Sequence, residues 1–258
     1  MKKEAYMEAP FLREIYLQDL NFISDDFPFD LPFIKNNNFH IKIHSPVTII
    51  AGDNGSGKST ILKSIATSCG FNLNSGNKDH ICDLNNDKFT ALNKHLKYLW
   101  NIRISNGFFL RSDNFIHFAN FLDEQAKEHG PRVFKYYGGK SLNEQSHGEA
   151  YLSLFSNRFS QKGIYILDEP EVALSPSKIL SLMSIIKDLS NEGKSQFIIA
   201  THSPILMAYP FAQFFYIDDT GIKETTFDKA EHYIITKSFL DNPERYFKYL
   251  FDDENENR

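Results

Sequence analysis

The sequence predicts an α/β protein: a largely parallel, mixed sheet with helices on both faces. Three observations predict it. Apolar runs at 47–51 (Val-Thr-Ile-Ile-Ala), 164–167 (Ile-Tyr-Ile-Leu) and 196–200 (Gln-Phe-Ile-Ile-Ala) are continuous, as strands covered on both faces should be. Segments of helical spacing separate them, the alternation that builds a parallel sheet. Each run ends in a polar cluster: Gly52–Thr60, Asp168-Glu169 and Thr201-His202. The polar residues therefore collect beyond the carboxyl ends of the strands, the edge where open α/β sheets bind ligands.

The elements follow in order. Residues 11–18 alternate partly, as a strand would, and 25–38, with Pro28, Pro32 and Asn36-Asn37-Asn38, read as a loop. Phe39-His40-Ile41-Lys42-Ile43 alternates cleanly and predicts a half-exposed strand; with 11–18 it forms an antiparallel N-terminal β region. Strand 47–51 leads through a glycine loop into a helix with Ile61, Leu62, Ile65 and Ala66 on its inner face. Residues 70–90 are rich in Gly, Asn and Asp and predict irregular surface structure. Leu92, Leu96 and Leu99 have helical spacing, Phe108-Phe109-Leu110 is a short apolar run, and 113–129 is a helix stopped by Gly130-Pro131. Residues 136–149 are polar, and helical spacing resumes at Ala150. Pro176 opens a helix expected to bury Ile179, Leu180, Leu182, Met183, Ile186 and Leu189. Residues 213–217 are a fourth strand, and the turn Asp218-Asp219-Thr220-Gly221 with 222–227 makes a hairpin. Pro243 opens a last helix before a disordered acidic tail at about 252–258. The expectation is one domain over 1–258 with a short helical subdomain at about 91–158.

Composition sets the outer limits. The chain has 258 residues, enough for a sizeable core. It is 41% apolar and 24% charged, an ordinary soluble balance, and 24 phenylalanines supply core mass. A net charge of −5 gives no global basic field for nucleic acid or an anionic membrane, while leaving room for a local basic groove. Cys69 and Cys82 have neither disulfide-framework nor zinc spacing, which predicts reduced thiols. No apolar run approaches the ~18 residues that span a bilayer. The basic opening Met-Lys-Lys-Glu lacks an apolar core behind it. The expectation is a cytoplasmic protein with no integral membrane segment.

The chemistry begins at Gly52-Asp53-Asn54-Gly55-Ser56-Gly57-Lys58-Ser59-Thr60. Strand, glycine loop and helix in that order are what a phosphate-binding loop needs. The glycines let successive N–H groups turn inward, and the positive end of the following helix adds to them. Asn54, Gly55, Ser56, Gly57, Lys58, Ser59 and Thr60 are thus expected to hold a nucleoside triphosphate. Lys58 would reach the β/γ-phosphates, and Ser59 would place its hydroxyl on Mg²⁺. Asp168, at the end of an apolar strand, would hold the same ion directly or through water. Glu169 beside it would act as general base on the attacking water. His202 would hydrogen-bond the γ-phosphate or position that water.

Taken together these residues resemble the ABC-type ATPase family. Gly52–Ser59 is similar to the family's phosphate loop, Gln145-Ser146-His147-Gly148-Glu149 looks like its signature motif, and Ile164–Pro170 matches its apolar-run-then-Asp-Glu-Pro motif. Ala173-Leu174-Ser175 stands at the D-loop, and Ala200-Thr201-His202-Ser203 looks like the switch-histidine motif. More narrowly, the chain resembles short bacterial AAA-family proteins of ABC type, near the SMC/RecF-like and overcoming-lysogenization-defect ATPases. The resemblance implies a head-to-tail homodimer with ATP at the interface, in which Ser146, Gly148 and Glu149 of one subunit cover the nucleotide of the other. It implies an ATP-dependent switch acting on DNA or an effector protein, as in repair or anti-phage systems, with the ATP-binding subunit of a membrane transporter as the alternative. The chain departs from the family at His147, where a glycine is usual, and at Ser175, where an aspartate is usual. No clear Q-loop glutamine follows the second apolar run. Asp113, with Arg111, is the nearest candidate for that sensing role.

Overall fold

The structure is a computed structural model that describes residues 8–18, 25–36, 39–77, 87–159 and 162–251. Cys82 and the tail at 252–258 lie outside the described residues.

The main sheet forms from six runs: β3 (Val47–Gly52), β5 (Gly107–Arg111), β6 (Gly163–Asp168), β7 (Ser195–Ala200), β8 (Gln213–Asp218) and β9 (Gly221–Thr225). Their order is β5-β6-β7-β3-β8-β9, parallel throughout except for the terminal β8–β9 hairpin. The three strands read from continuous apolar runs are adjacent in the middle, and every residue of β3, β6 and β7 is buried. A smaller antiparallel sheet, β2-β1-β4, combines β1 (Leu12–Leu17), β2 (His40–Lys42) and β4 (Leu96–Trp100).

Side chains alternate across the main sheet and so feed two cores. Ile49, Ala51, Tyr165, Leu167, Phe197 and Ile199 face α4 (Phe115–His129), α5 (His147–Arg158) and α6 (Pro176–Asn191), which press Phe118, Leu122, Tyr151, Phe155, Leu182 and Ile186 against them. Phe159 stacks on Tyr165 there, with ring centroids 4.3 Å apart. Ile50, Ile166, Ile198 and Ala200 face the other way, onto α2 (Lys58–Cys69) and the small sheet. Burial of this breadth, at about 25 cal/mol per Å² of apolar surface, is the main force holding the layers together.

Two glutamines tie the small sheet to the large one. Gln196 is fully buried in β7; its Oε1 accepts from the N–H groups of Phe11 and Leu12 at 2.8 and 2.9 Å, and its Nε2 donates to Leu12 O at 3.0 Å. Gln213 repeats the clamp on β2, accepting from His44 N and donating to Lys42 O, each at 2.8 Å. Gln196→Leu should therefore leave three buried backbone groups without partners. The expected cost is about 2–4 kcal/mol, a fall in Tm of about 5–10 °C at this chain size. Thermal denaturation followed by circular dichroism checks it; an unchanged Tm would mean the clamp contributes nothing.

Four expectations from the sequence are corrected. Leu96 and Leu99 do not continue a helix: α3 (Asp87–His95) ends at His95, and the chain turns into β4 along β1. Leu96 is buried, Lys97 exposed and Tyr98 half-buried, the period of a strand, and pairing with distant β1 overrides the local spacing. Within 25–38 the chain forms a single helical turn, α1 (Pro32–Lys35), that buries Phe33 and Ile34. Leu180 is 58% exposed on α6, whereas Ile179, Leu182 and Ile186 are buried. Helical spacing read from Ala150 begins earlier: α5 starts at His147. The hairpin is followed by α8 (Glu231–Asp241) and then by α9 (Pro243–Phe251), which Pro243 opens. A four-residue helix, α7 (Pro204–Met207), follows β7. The stretch 91–158 holds α4 and α5 but also β4 and the edge strand β5.

Candidate functional site

The glycine loop sits where β3 hands over to α2. Gly57, with φ of +97°, is the last residue before the helix, and a Cβ there would lie 2.6 Å from the Phe33 ring. Both the backbone conformation and the packing of α1 therefore demand glycine. The side chain of Lys58 is buried and curls back over the loop, donating to Gly52 O at 2.9 Å and Asp53 O at 2.8 Å. Burial pushes its ammonium below the usual lysine range, against the pull of Glu169, Asp168 and Asp53. Asn54, Gly55, Gly57, Lys58, Ser59 and Thr60 line a cleft with Glu169 and Phe27.

β6 lies two strands away and delivers the acids to the same edge. Ser59 Oγ donates to Asp168 Oδ1 at 3.0 Å, so the two expected metal-binding side chains already touch. Asp168 is 6% exposed, and burial raises its carboxyl to about 6 even though Ser59 and Arg111 both lower it. Arg111, at the end of β5, places Nε 3.8 Å from Asp168 Oδ2 and pairs its Nη2 with Asp113 at 2.5 Å. A hydroxyl and a carboxylate oxygen on a buried anionic centre fit a hard cation such as Mg²⁺. Among the described residues no group of three His, Cys, Asp or Glu could hold a metal alone, so a cation here would complete its shell with substrate oxygens and water.

Glu169 is one of two non-glycine residues with positive φ among those described, at φ 53° and ψ 52°. Such a conformation costs about 1–3 kcal/mol and persists only where neighbours enforce it. Here they do. Its N–H donates to Ala200 O at 2.9 Å, its carbonyl accepts from Ser112 Oγ, and its Oε1 lies 3.2 Å from His202 Nε2. The bend carries the carboxylate out of the sheet and over the loop. His202 is held from behind: its N–H donates to Glu171 Oε1 at 2.7 Å, which also accepts from Thr201 Oγ1 at 2.6 Å and Ser203 N at 3.1 Å. Burial and the nearby Lys58 charge lower the His202 pKa, favouring neutral imidazole. Since the Glu169 carboxylate can only accept, its place 3.2 Å from the ring favours the neutral tautomer with the proton on Nε2.

The structure thus brings Lys58, Ser59, Asp168, Glu169 and His202 to one edge. It keeps Ser146, Gly148 and Glu149 apart from them, at the start of α5. Ser146 is the N-cap; its N–H and Oγ both donate to Glu149 Oε2, at 3.0 and 2.6 Å, and these bonds lower the Glu149 pKa. Gly148 is buried beneath Lys178 of α6, whose Cδ lies 2.6 Å from where a Cβ would be. None of the three lines the loop cleft. Ser146 and Glu149 are solvent-exposed.

Four neighbours were not legible. Ser112, Glu171 and His232 come to the site only through the tertiary fold, and Phe27 arrives from a loop-like stretch with no periodic pattern. A signal existed for Glu171 alone, in its place two residues after Glu169, but a third acid in a run ordinarily signals a solvated turn.

Comparison with known proteins supplies the frame. Residues 141–208 match the model of the family described as "AAA domain, putative AbiEii toxin, Type IV TA system". No curated protein sequence matches the chain. Among solved structures, the chain is similar to an SMC head bound to the C-winged-helix domain of ScpA, with 16% identity over 84% of this chain and 97% of that one and a TM-score of 0.50. It is also similar to the SMC head domain from Thermotoga maritima (16% identity, 83% and 99% covered, TM-score 0.45). A third is CbiO1 from Clostridium perfringens, part of an ABC transporter complex (18% identity, 89% and 96% covered, TM-score 0.48). The chain shares the fold of the SMC head, and its residues 141–208 match the model of an AAA-domain family.

Proposed function

We propose that the chain binds and hydrolyses ATP with Mg²⁺ and works as an ATP-dependent dimerisation switch on DNA or a partner effector. The observation that carries this is the meeting of four groups at one sheet edge: the lysine of a glycine loop, the Ser59–Asp168 contact, an acid pushed out of the sheet at Glu169, and a neutral histidine against it.

Lys58 would leave the Gly52 and Asp53 carbonyls for the β/γ-phosphates, where a charge-assisted hydrogen bond replaces two neutral acceptors. Ser59 and Asp168 would hold Mg²⁺; charge neutralisation at the β- and γ-phosphate oxygens is what the bound ion supplies. Phe27, 42% exposed on the cleft, offers an aromatic face to the base. Glu169 would take the proton of the attacking water, and His202 would keep that carboxylate aimed.

The second half of the site is proposed to come from another copy. Ser146 and the Gly148 N–H stand at the positive end of α5, suited to an anionic phosphoryl group. Exposed Val172 (69%) and Leu180 (58%), on the segment and helix after Glu169, supply apolar area for such a contact. The SMC head is bound to a winged-helix domain of ScpA, and a protein effector is the corresponding reading for this chain. Arg111, read with Asp113 as the candidate for the Q-loop's sensing role, has its Nε 3.8 Å from Asp168 Oδ2; the ATP-binding subunit of a membrane transporter is the alternative reading.

The test is ATP turnover with and without DNA, together with light scattering in ADP and in a non-hydrolysable ATP analogue. The expected result is slow turnover and a dimer in the analogue alone. A protein that stays monomeric with the analogue and releases no phosphate would overturn the proposal.

A further inference from the structure

α8 has no part in any motif of the loop or strand edges, yet its first turn enters the site. His232 places Nε2 3.2 Å from His202 Nδ1, and their rings lie 5.1 Å apart. With the His202 proton on Nε2, its Nδ1 is an acceptor, so His232 Nε2 must be the donor. His232 Nδ1 then faces Asp53 Oδ1 at 3.9 Å; it is buried, with no hydrogen-bond partner among the described residues. The result is a short row, Glu169–His202–His232, with 3.2 Å at each step, and Asp53 lies 3.9 Å beyond it, outside hydrogen-bond range.

The placement is anchored. Ala230, just before α8, is fully buried in the main core, and Tyr233 packs against that core. Beyond this turn α8 and α9 bury no residue, and Ile234, Ile235, Leu240, Tyr249, Leu250 and Phe251 are exposed. The helical pair is thus joined to the nucleotide edge through the turn that carries His232. Asp53, beside this row, accepts from Lys58 at its carbonyl and from Tyr216 Oη at its carboxylate, the latter at 3.5 Å.

We propose that His232 is a positioning residue of the hydrolytic site, which fixes the tautomer and direction of His202. This rests on the reading of Glu169 and His202 as the hydrolytic pair. It adds a third member, drawn from outside the motifs.

The experiment uses the full chain with three substitutions. His232→Ala is expected to lower kcat by about 10–100-fold with the KM for MgATP moving less than about threefold. His232→Gln, whose amide nitrogen takes the place of Nε2, should restore most of the loss, while His232→Asn, whose amide takes the place of Nδ1, should not. Nitrogen-15 spectra of the imidazoles, recorded without nucleotide, read the same claim directly: His202 should be held as the Nε2–H form in the wild type and His232→Gln, and become a tautomer mixture in His232→Ala. A His202 spectrum unchanged in His232→Ala, or equal kcat values for the Gln and Asn variants, would overturn it. The spectra need no turnover. A wild type that fails to hydrolyse ATP would sink the proposed activity while leaving the His232 claim decided by the tautomer.

Discussion

Glu169→Gln is expected to keep ATP binding and lose turnover by about 10²–10⁴-fold, the usual contribution of a positioned general base. The amide has the size of the carboxylate, so the strained turn and its bonds to Ala200 and Ser112 should survive. What disappears is the acceptor for the water proton, and with it the charge that His202 Nε2 faces at 3.2 Å. A protein that binds but does not hydrolyse should accumulate as the ATP-bound dimer, visible by light scattering at ATP concentrations where the wild type is mostly monomeric. Phosphate release measured over single turnovers isolates the chemical step; wild-type rates in that assay would remove Glu169 from the role.

The second large effect is at Lys58. Lys58→Ala should weaken nucleotide binding by about 100-fold, since hydrogen bonds from a charged donor contribute about 1.5–3 kcal/mol each and 1.4 kcal/mol is tenfold in affinity. Part of that loss is offset, because the wild-type lysine must first give up two carbonyl partners that the alanine protein does not have to break. Calorimetric titration with an ATP analogue measures it. Unchanged affinity would mean that the loop does not grip phosphate through this residue.

Both residues were legible because their chemistry is written locally. A glycine loop between an apolar strand and a helix, or an acid pair after an apolar run, needs only a dozen contiguous residues to be recognised. The strands β3, β6 and β7 were legible for the same reason: burial on both faces leaves an unbroken apolar run. Where partners are distant the reading failed. β4 looked helical because Leu92, Leu96 and Leu99 share a helix spacing, and only β1, more than seventy residues earlier, turns the last two into a strand. Leu180 lies one residue from buried Ile179 and two from buried Leu182, and spacing alone does not set the edge of the buried stripe. His232 and Glu171 read as ordinary polar residues, because their function as partners of His202 exists only after β6, β7 and α8 have converged.

The contrast between the fully buried central strands and the pair α8–α9, which buries no residue, has a kinetic consequence. Amide protons on β3, β6 and β7 can meet solvent only through global opening, whereas those of α8 and α9 need only a local one. Asp168 thus closes one of the slowest-exchanging strands, while His232 stands where α8 leaves its anchored turn for a stretch with no buried residue. The site is assembled across that boundary. Whatever orders His202 against His232 would slow exchange in the first turn of α8.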